Sequence, residues 1–169
     1  EGYAMAREGC NHKLPFCLAL KRTVHYYYAM DVFEAISKRH SYRAEYTDEA
    51  VPESDLRKIV QAGIDAPSGC NAQTTSFVIV TDRALISEIA AIIDKELIAT
   101  AKALIVDLVD HREVYHSMAF GPEDCAAAVE NMLLAITALG YGSVWLDGAL
   151  KIEDRAAKIA ELIGAPENL

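Results

Sequence analysis

The sequence predicts an α+β fold in a single domain that spans residues 1–169. Segments with helical periodicity and short β-branched apolar runs follow one another without a regular strand–helix–strand repeat. The chain of 169 residues is 52% apolar and 24% charged, which is enough apolar sequence for one buried core and excludes intrinsic disorder. We therefore expect helices packed against one sheet.

Five segments have the periodicity of helices. Asp31 is a suitable N-cap for the first helix, which runs into Arg39 and His40. The apolar side chains that share one face of this helix are Val32, Phe33 and Ile36. The second helix follows Pro52 and ends near Ala66, because Pro67 disfavours helical geometry in the residue before it. The other predicted helices span residues 85–93, 123–139 and 153–163.

Three apolar runs predict strands, at residues 77–80, 103–109 and 143–146. The helix predicted at residues 123–139 is apolar around most of its circumference, which indicates burial in the centre of the molecule or in a subunit interface. Residues 111–122 have no regular period and predict a loop or a short helix.

The charge and cysteine patterns exclude several kinds of protein. A formal net charge of −9 argues against a nucleic-acid partner. No apolar run is long enough to cross a membrane. The four cysteines have no metal-ligand spacing, so we expect no metal site and reduced thiols in a cytoplasmic protein. They are Cys10, Cys17, Cys70 and Cys125.

The first candidate site lies at the end of the first helix. Two guanidiniums, an imidazole and a hydroxyl occur within five residues, supplied by Arg39, His40, Ser41 and Arg43. Arginine suits phosphate because its planar fork donates two parallel hydrogen bonds. This segment is therefore a candidate anion site, and a solvated surface cluster is the alternative interpretation.

The second candidate site is the polar stretch between the second helix and the first predicted strand. Its candidate ligand-binding residues are Pro67, Ser68, Asn71 and Gln73. Asparagine and glutamine side chains both donate and accept hydrogen bonds, so they can bind the amide edge of a planar heterocycle. The same composition is also typical of an ordinary turn.

The third candidate site is residues 140–148, which contain three glycines. Glycine permits the backbone to approach a flat ligand closely, and it also permits tight turns. The candidate contacts at the end of this stretch are Leu146, Asp147 and Gly148.

Taken in this order, the three stretches resemble the FMN-dependent nitroreductase family. The first resembles its R-R/H-S-x-R/K motif, and the second resembles A-P-S-x-x-N-x-Q-P-W, with Thr74 and Thr75 at the Pro-Trp positions. The helix that follows Gly121 and residues 142–145 are also similar to the family. The resemblance extends over residues 30–169 and implies a central, mainly antiparallel sheet flanked by helices, in an intertwined homodimer.

The resemblance also implies a cofactor and residue roles. FMN would lie at the homodimer interface, with its phosphate and ribityl chain held by Lys13, Arg39 and Ser41 and with His40, Pro67, Ser68 and Leu146 nearby. Arg43 would face the N1/O2 edge of the flavin. Asn71 and Gln73 would contact the ring or the ribityl chain, and the backbone around Asp147 and Gly148 would approach N5.

The activity implied is hydride transfer from NAD(P)H through flavin N5 to an electron-poor acceptor, a nitroaromatic or a quinone, with ping-pong kinetics. No catalytic side chain is required, because the flavin carries the redox chemistry. Two alternatives remain: a flavin-binding or regulatory protein without turnover, and a specialised enzyme of the same fold, such as a dehalogenase. The choice between NADH and NADPH stays open.

Residues 1–29 resemble the end of a nitroreductase. Gly2 and Tyr3 are similar to the turn that follows the last core strand of the family. Lys13 is similar to the family's phosphate-binding cation, and residues 23–26 are similar to the family's closing residues. We expect a permuted order, natural, engineered or introduced during sequence assembly, with one strand missing at the join. Residues 1–29 would then wrap the partner subunit as an arm; an unrelated N-terminal extension is the alternative.

Overall fold

A four-stranded antiparallel sheet organises the chain. The computed structural model describes residues 16–22 and 30–166. The strand order is β2-β3-β1-β4, and every neighbouring pair is antiparallel. The strands are β1 (Phe16–Arg22), β2 (Thr75–Val80), β3 (Leu104–Val109) and β4 (Tyr141–Leu146).

Within residues 16–22 and 30–166, six α-helices surround this sheet. They are α1 (Val32–Lys38), α2 (Glu53–Ile64), α3 (Arg83–Ile93), α4 (Glu96–Ala99), α5 (Gly121–Ala138) and α6 (Arg155–Leu162). The predicted N-cap of α1 is confirmed, since the Asp31 carboxylate accepts from the backbone N–H groups of Phe33 and Glu34 at 2.8 and 3.0 Å. The helix α2 ends at Ile64, ahead of Pro67 as predicted.

The α+β class and the three predicted strands are confirmed, whereas β1 and the short helix α4 were not predicted. The sequence of β1 has no β-branched residue and carries a weak local signal. Its place is decided by pairing on both sides, because Leu18 is opposite Ile105 of β3 and Trp145 of β4. Residues 16–22 belong to the segment expected to wrap the partner as an arm, but they instead form an interior strand of this chain's own sheet, paired with β3 and β4. The rest of residues 1–29 lies outside the described residues.

The sheet separates two apolar layers. Alternate residues of a strand point to opposite faces, so β3 contributes Leu104, Val106 and Leu108 to the layer with α3 and α6. Its residues Ile105 and Val109 contribute to the layer with α2 and α5. The described core is therefore a three-layer arrangement of helices, sheet and helices.

Asp107 is an exception in the layer that contains α2 and α5. It is fully buried in β3, and neither carboxyl oxygen has a hydrogen-bond partner among the described residues. Burial raises the pKa of this carboxyl well above its ordinary value. Burial also raises the pKa of the Cys125 thiol on α5, and Asp107 acts in the same direction. The carboxyl is therefore an unfavourable group in an otherwise apolar layer.

The apolar face of α1 does not pack into this core. Val32, Phe33 and Ile36 are 57%, 79% and 53% exposed, and Ala35 is the buried residue of the helix. A groove beside this face is lined by residues of α1, α2 and α5, including half-buried Leu134. The predicted burial of α5 around most of its circumference is thus only partly present within one chain.

Candidate active site

The segment that follows α1 lies along the outer edge of β4. Ser41 forms an isolated parallel bridge with Ser143, and the Tyr42 N–H donates to the Ser143 carbonyl at 2.7 Å. A backbone pairing of this kind fixes where the chain lies and leaves the side chains of residues 39–43 to point away from the strand axis. The first predicted motif is therefore positioned by the sheet.

The basic side chains of this segment make only long contacts with neighbouring groups. The Arg39 Nε lies 3.8 Å from Oε1 of Glu130 on α5, and the Arg43 guanidinium donates to the Ser41 carbonyl at 3.4 Å. The His40 Nδ1 lies 3.0 Å from the Lys38 carbonyl oxygen. Exposed ion pairs with such long contacts contribute little to stability, so an incoming anion can replace them at small cost.

The third predicted motif, residues 140–148, contains β4 and ends just after it. Leu146 is buried in the core, the Asp147 carboxylate pairs with Lys151 at 2.7 Å, and Gly148 begins a short 3₁₀ turn, Gly148–Leu150. A Cβ added at Gly148 would meet no atom within 4 Å, so the space above this glycine is open. Because Ser41 pairs in parallel with Ser143, residues 41–43 run toward this same end of β4.

The second predicted motif forms a strained loop between α2 and β2. Cys70, Asn71 and Gln73 have left-handed backbone conformations, with φ of 53°, 54° and 51°. Each such residue costs about 1–3 kcal/mol and persists only where its surroundings hold it. Within the loop, the Gln73 N–H donates to the Ser68 hydroxyl at 3.0 Å.

Asp124, which the sequence analysis did not select, is the main anchor of this loop. It lies in the first turn of α5 and is 5% exposed. Its Oδ1 accepts from the Gly69 N–H at 2.7 Å, and its Oδ2 accepts from the Thr74 hydroxyl at 2.6 Å. One buried carboxylate therefore fastens both ends of the strained stretch. One sequence signal could have found it: Asp124 occupies a position at which the apolar periodicity of α5 predicts a buried residue.

Residues 110–120 hold the other side of the loop. The Asp110 N–H donates to the Thr74 carbonyl at 2.8 Å, and the Arg112 guanidinium donates to the Ala72 carbonyl. Gly69 packs so closely on the Phe120 ring that a Cβ there would clash. These contacts leave the side chains of Asn71 and Gln73 exposed on a backbone that is fixed from several directions.

A small cleft of about 180 Å³ opens beside this loop. Its walls include Ile64 of α2, Gln73 and Thr74 of the loop, Phe77 of β2 and Asp124. Pockets that bind a whole drug-sized ligand are about 300–1,000 Å³. The cleft therefore has the size of one wall or one end of a larger site.

The predicted site residues fall into two groups on opposite edges of the sheet. Residues 39–43 and 146–148 lie at β4, whereas residues 67–73 lead into β2. With the order β2-β3-β1-β4, three strand spacings, about 14 Å, separate those edges. Within the described residues, one chain thus brings the first and third motifs together and leaves the second apart. Lys13 lies outside the described residues.

The family model described as "Nitroreductase family" matches residues 36–122 and 107–169. The chain belongs to the nitroreductase family. A nitroreductase relative of Archaeoglobus fulgidus, named an NADH dehydrogenase/NAD(P)H nitroreductase, is 36% identical over 140 residues, which cover 82% of this chain and 79% of the relative.

Two solved nitroreductase structures share this fold. One from Desulfovibrio desulfuricans, in complex with FMN, is 35% identical with a TM-score of 0.69, covering 80% of this chain and 77% of that one. The other, from Bacteroides thetaiotaomicron, is 27% identical with a TM-score of 0.71, covering 81% and 79%. The nitroreductase fold predicted from the motifs is therefore confirmed.

The described part of this nitroreductase offers neither a metal site nor a membrane span. None of its described helices combines the length and hydropathy that a bilayer requires. No group of three or more histidine, cysteine, aspartate or glutamate residues in the same described ranges could hold a metal ion.

Proposed function

We propose that this nitroreductase is an NAD(P)H-dependent FMN oxidoreductase that reduces electron-poor aromatic acceptors. Membership of the family makes the chain an oxidoreductase. The observation that carries the proposal is the segment at residues 39–43, which pairs with β4 at Ser143 and carries two loosely paired guanidiniums. Such a set suits a ligand with a phosphate at one end and a planar ring at the other.

The residues present fit FMN as a donor set. Arg39 and Ser41 would hold the phosphate and the ribityl chain together with Lys13, and His40 lies beside them in the sequence. The backbone at Asp147 and Gly148 would lie against the flavin ring. Gly148 has no side chain, and the space where a Cβ would stand is open. FMN also fits better than FAD, since no G-x-G-x-x-G turn is present to hold a pyrophosphate.

When bound, FMN accepts hydride from NAD(P)H and passes electrons to the acceptor. The protein binds and orients both substrates in turn, so we expect ping-pong kinetics. Arg43 would place positive charge near the N1/O2 edge, where negative charge develops on reduction. The amides of Asn71 and Gln73 would bind a polar edge of the ring or the ribityl chain, with Pro67 and Ser68 shaping the same loop.

We propose further that the complete site forms between two copies of the chain. One chain leaves the second motif about three strand spacings from the first and third. The apolar face of α1 is exposed beside a groove that Leu134 and Ala135 line. Exposed contiguous apolar surface of this kind marks an interface. A homodimer would bury that face and bring a loop of one protomer to the guanidiniums of its partner.

The identity of the cofactor is tested directly on purified protein. We expect a flavin absorption spectrum, one flavin per subunit, and the mass of FMN in the material released by denaturation. Oxidation of NADH and NADPH is then measured with a nitroaromatic and with a quinone. Recovery of FAD, or of no flavin after reconstitution with FMN, would overturn the proposal, and bound FMN without NAD(P)H oxidation would favour a flavin-binding protein without turnover.

The thiols are relevant to where the enzyme acts. Among the described residues Cys70 is an exposed free thiol and Cys125 a buried one. Exposed thiols persist where glutathione and thioredoxin keep them reduced. We propose the cytoplasm as the site of action. Alkylation of intact cells, followed by mass spectrometry of the Cys70 peptide, should find this thiol reduced.

A further inference from the structure

The loop at residues 68–74 is held in a strained shape partly by residues 110–120 and, at both of its ends, by one buried side chain of α5. Asp124 accepts a hydrogen bond from Gly69 at one end of the loop and from Thr74 at the other, at 2.7 and 2.6 Å. Both ends are separated from Asp124 by 50 or more positions in the chain. The carboxylate therefore supplies a constraint that the local sequence of the loop does not contain.

The strain lies between the two anchored ends. Cys70, Asn71 and Gln73 each adopt a left-handed conformation, which asparagine tolerates but cysteine and glutamine avoid. Without the anchors, the loop would relax toward conformations with negative φ and would carry the Asn71 and Gln73 side chains with it. The direction of these two amides thus depends on Asp124.

The anchor also accounts for a departure from the family pattern. Thr74 stands at a position where the motif usually has proline. Its hydroxyl, which proline lacks, is the donor to Asp124, and Thr74 itself is only 2% exposed. Thr74 therefore contributes a buried side-chain hydrogen bond that a proline at this position could not make.

We propose that Asp124 is a positioning residue for FMN, acting through the Thr74 hydroxyl and the Gly69 amide to fix the direction of Asn71 and Gln73. The proposal rests on the FMN-dependent function proposed above. Asp124 would raise cofactor affinity through the shape of the loop and not through its charge. The neutral isostere asparagine should therefore preserve FMN affinity at position 124. The asparagine carbonyl oxygen can accept from the Gly69 N–H, and the asparagine amide can donate to the Thr74 oxygen.

The experiment compares FMN dissociation constants of four variants by flavin fluorescence. Asp124→Ala should weaken FMN about tenfold to a hundredfold, since two hydrogen bonds to a charged group are lost. Asp124→Asn should stay within about threefold of the wild type. Glu123→Ala, an exposed acid in the same turn of α5, is the matched control and should change nothing.

The fourth variant adds Cys70→Gly to Asp124→Ala. Glycine has no penalty at a φ of 53°, so it should restore about threefold or more of the lost affinity if the loss comes from loop geometry. Equal losses in Asp124→Asn and Asp124→Ala would overturn the proposal, because they would show that the charge acts directly. An unchanged affinity in Asp124→Ala, or no recovery with Cys70→Gly, would overturn it as well.

A second readout does not require the cofactor. The rate of hydrogen exchange at the backbone amides of residues 69–74 in the flavin-free protein, followed by mass spectrometry, reports the shape of the loop, because the Gly69 N–H is bonded to Asp124. We expect exchange about tenfold faster in Asp124→Ala, and no change in Glu123→Ala. Equal rates in all variants would overturn the positioning role. If the wild type binds no FMN, the proposed function fails, and these rates still decide the role of Asp124.

Discussion

The loop at residues 68–74 and the segment at residues 39–43 hold their polar side chains by opposite means. The loop is fixed by side chains from elsewhere, with Asp124 at both ends and the Arg112 guanidinium on the Ala72 carbonyl. The segment is fixed by backbone pairing with β4, while its arginines make contacts no shorter than 3.4 Å. One region is preformed, and the other has a fixed backbone with adaptable side chains.

This difference has a physical reason. An exposed amide has few ways to bind a heterocycle, so its direction has to be set before the ligand binds. The left-handed backbone of the loop sets this direction. Its conformational free-energy cost is offset by the buried anchors. A guanidinium near a flexible phosphate can adjust along its own side chain. Substitutions should therefore affect the loop through its anchors and the segment through its charges.

The largest effect should come from mixing two inactive variants. If the two regions of one site belong to different protomers, Arg39→Ala and Asn71→Ala/Gln73→Ala should each lose most FMN-dependent activity. A heterodimer of the two would hold one intact site. Random mixing should then restore about a quarter of the wild-type sites. The measurement is NAD(P)H oxidation by co-expressed, differently tagged chains.

The control for this mixing places both substitutions in the same region. Arg39→Ala mixed with Arg43→Ala should restore nothing, because each site of the heterodimer would still lack one arginine. If the first mixture also stays inactive while its heterodimer is present, the two regions serve one site within one chain. Sedimentation that shows a folded monomer carrying FMN would show that the two regions do not need a second chain to form the site.

Lys13→Ala should have the next largest effect on FMN binding. It tests which residues hold the phosphate of FMN. We expect FMN to bind about ten- to a hundredfold more weakly, because one charge-assisted contact to phosphate is lost. Lys58→Ala, an exposed lysine of α2, is the control. Inorganic phosphate should compete with FMN more strongly in the wild type. Unchanged affinity would favour an unrelated extension over a permuted arm for residues 1–29.

Arg43→Ala should affect the rate more than the binding. Loss of positive charge near the flavin should slow its reduction by NAD(P)H about tenfold and lower its potential, with a smaller change in FMN affinity. Stopped-flow reduction measures the rate, and Arg43→Lys should keep most of it. Arg57→Ala on α2 serves as the exposed-arginine control. An unchanged rate would contradict the placement of Arg43.

The smallest effect on function is expected in the sheet between the two regions. Asp107→Val removes a buried carboxyl that has no described partner, and it should stabilise the fold by about 1–3 kcal/mol at neutral pH with FMN affinity unchanged. Denaturant unfolding measures the gain. A loss of stability would show that the carboxyl has a partner.

The gain should also depend on pH. Burial raises the pKa of Asp107 in the folded state, so the unfolded chain ionises first as the pH rises. Wild-type stability is therefore lost from about pH 4 upward, by up to about 1.4 kcal/mol per pH unit. The advantage of Asp107→Val should grow over that range. Asp107→Asn, which is neutral at every pH, should remove the pH dependence and keep a desolvation cost.

Local chemistry made much of the fold and of the site predictable. The Asp31 cap, the end of α2 before Pro67 and the apolar run of β3 all depend on residues close together in the chain, so sequence patterns reveal them. The kinds of group in the three motifs, two guanidiniums and two amides, are likewise fixed by composition. They were sufficient to identify the family.

Only the tertiary structure decided how these parts are arranged. It placed β1 between β3 and β4 although its residues have weak strand propensity, and it turned the apolar face of α1 outward. It also joined Gly69 and Thr74 to Asp124, which lies 55 and 50 positions away in the chain, through two hydrogen bonds. Pairing and burial between residues so far apart depend on the whole packed sheet, whereas caps and periodicity depend on a few neighbours.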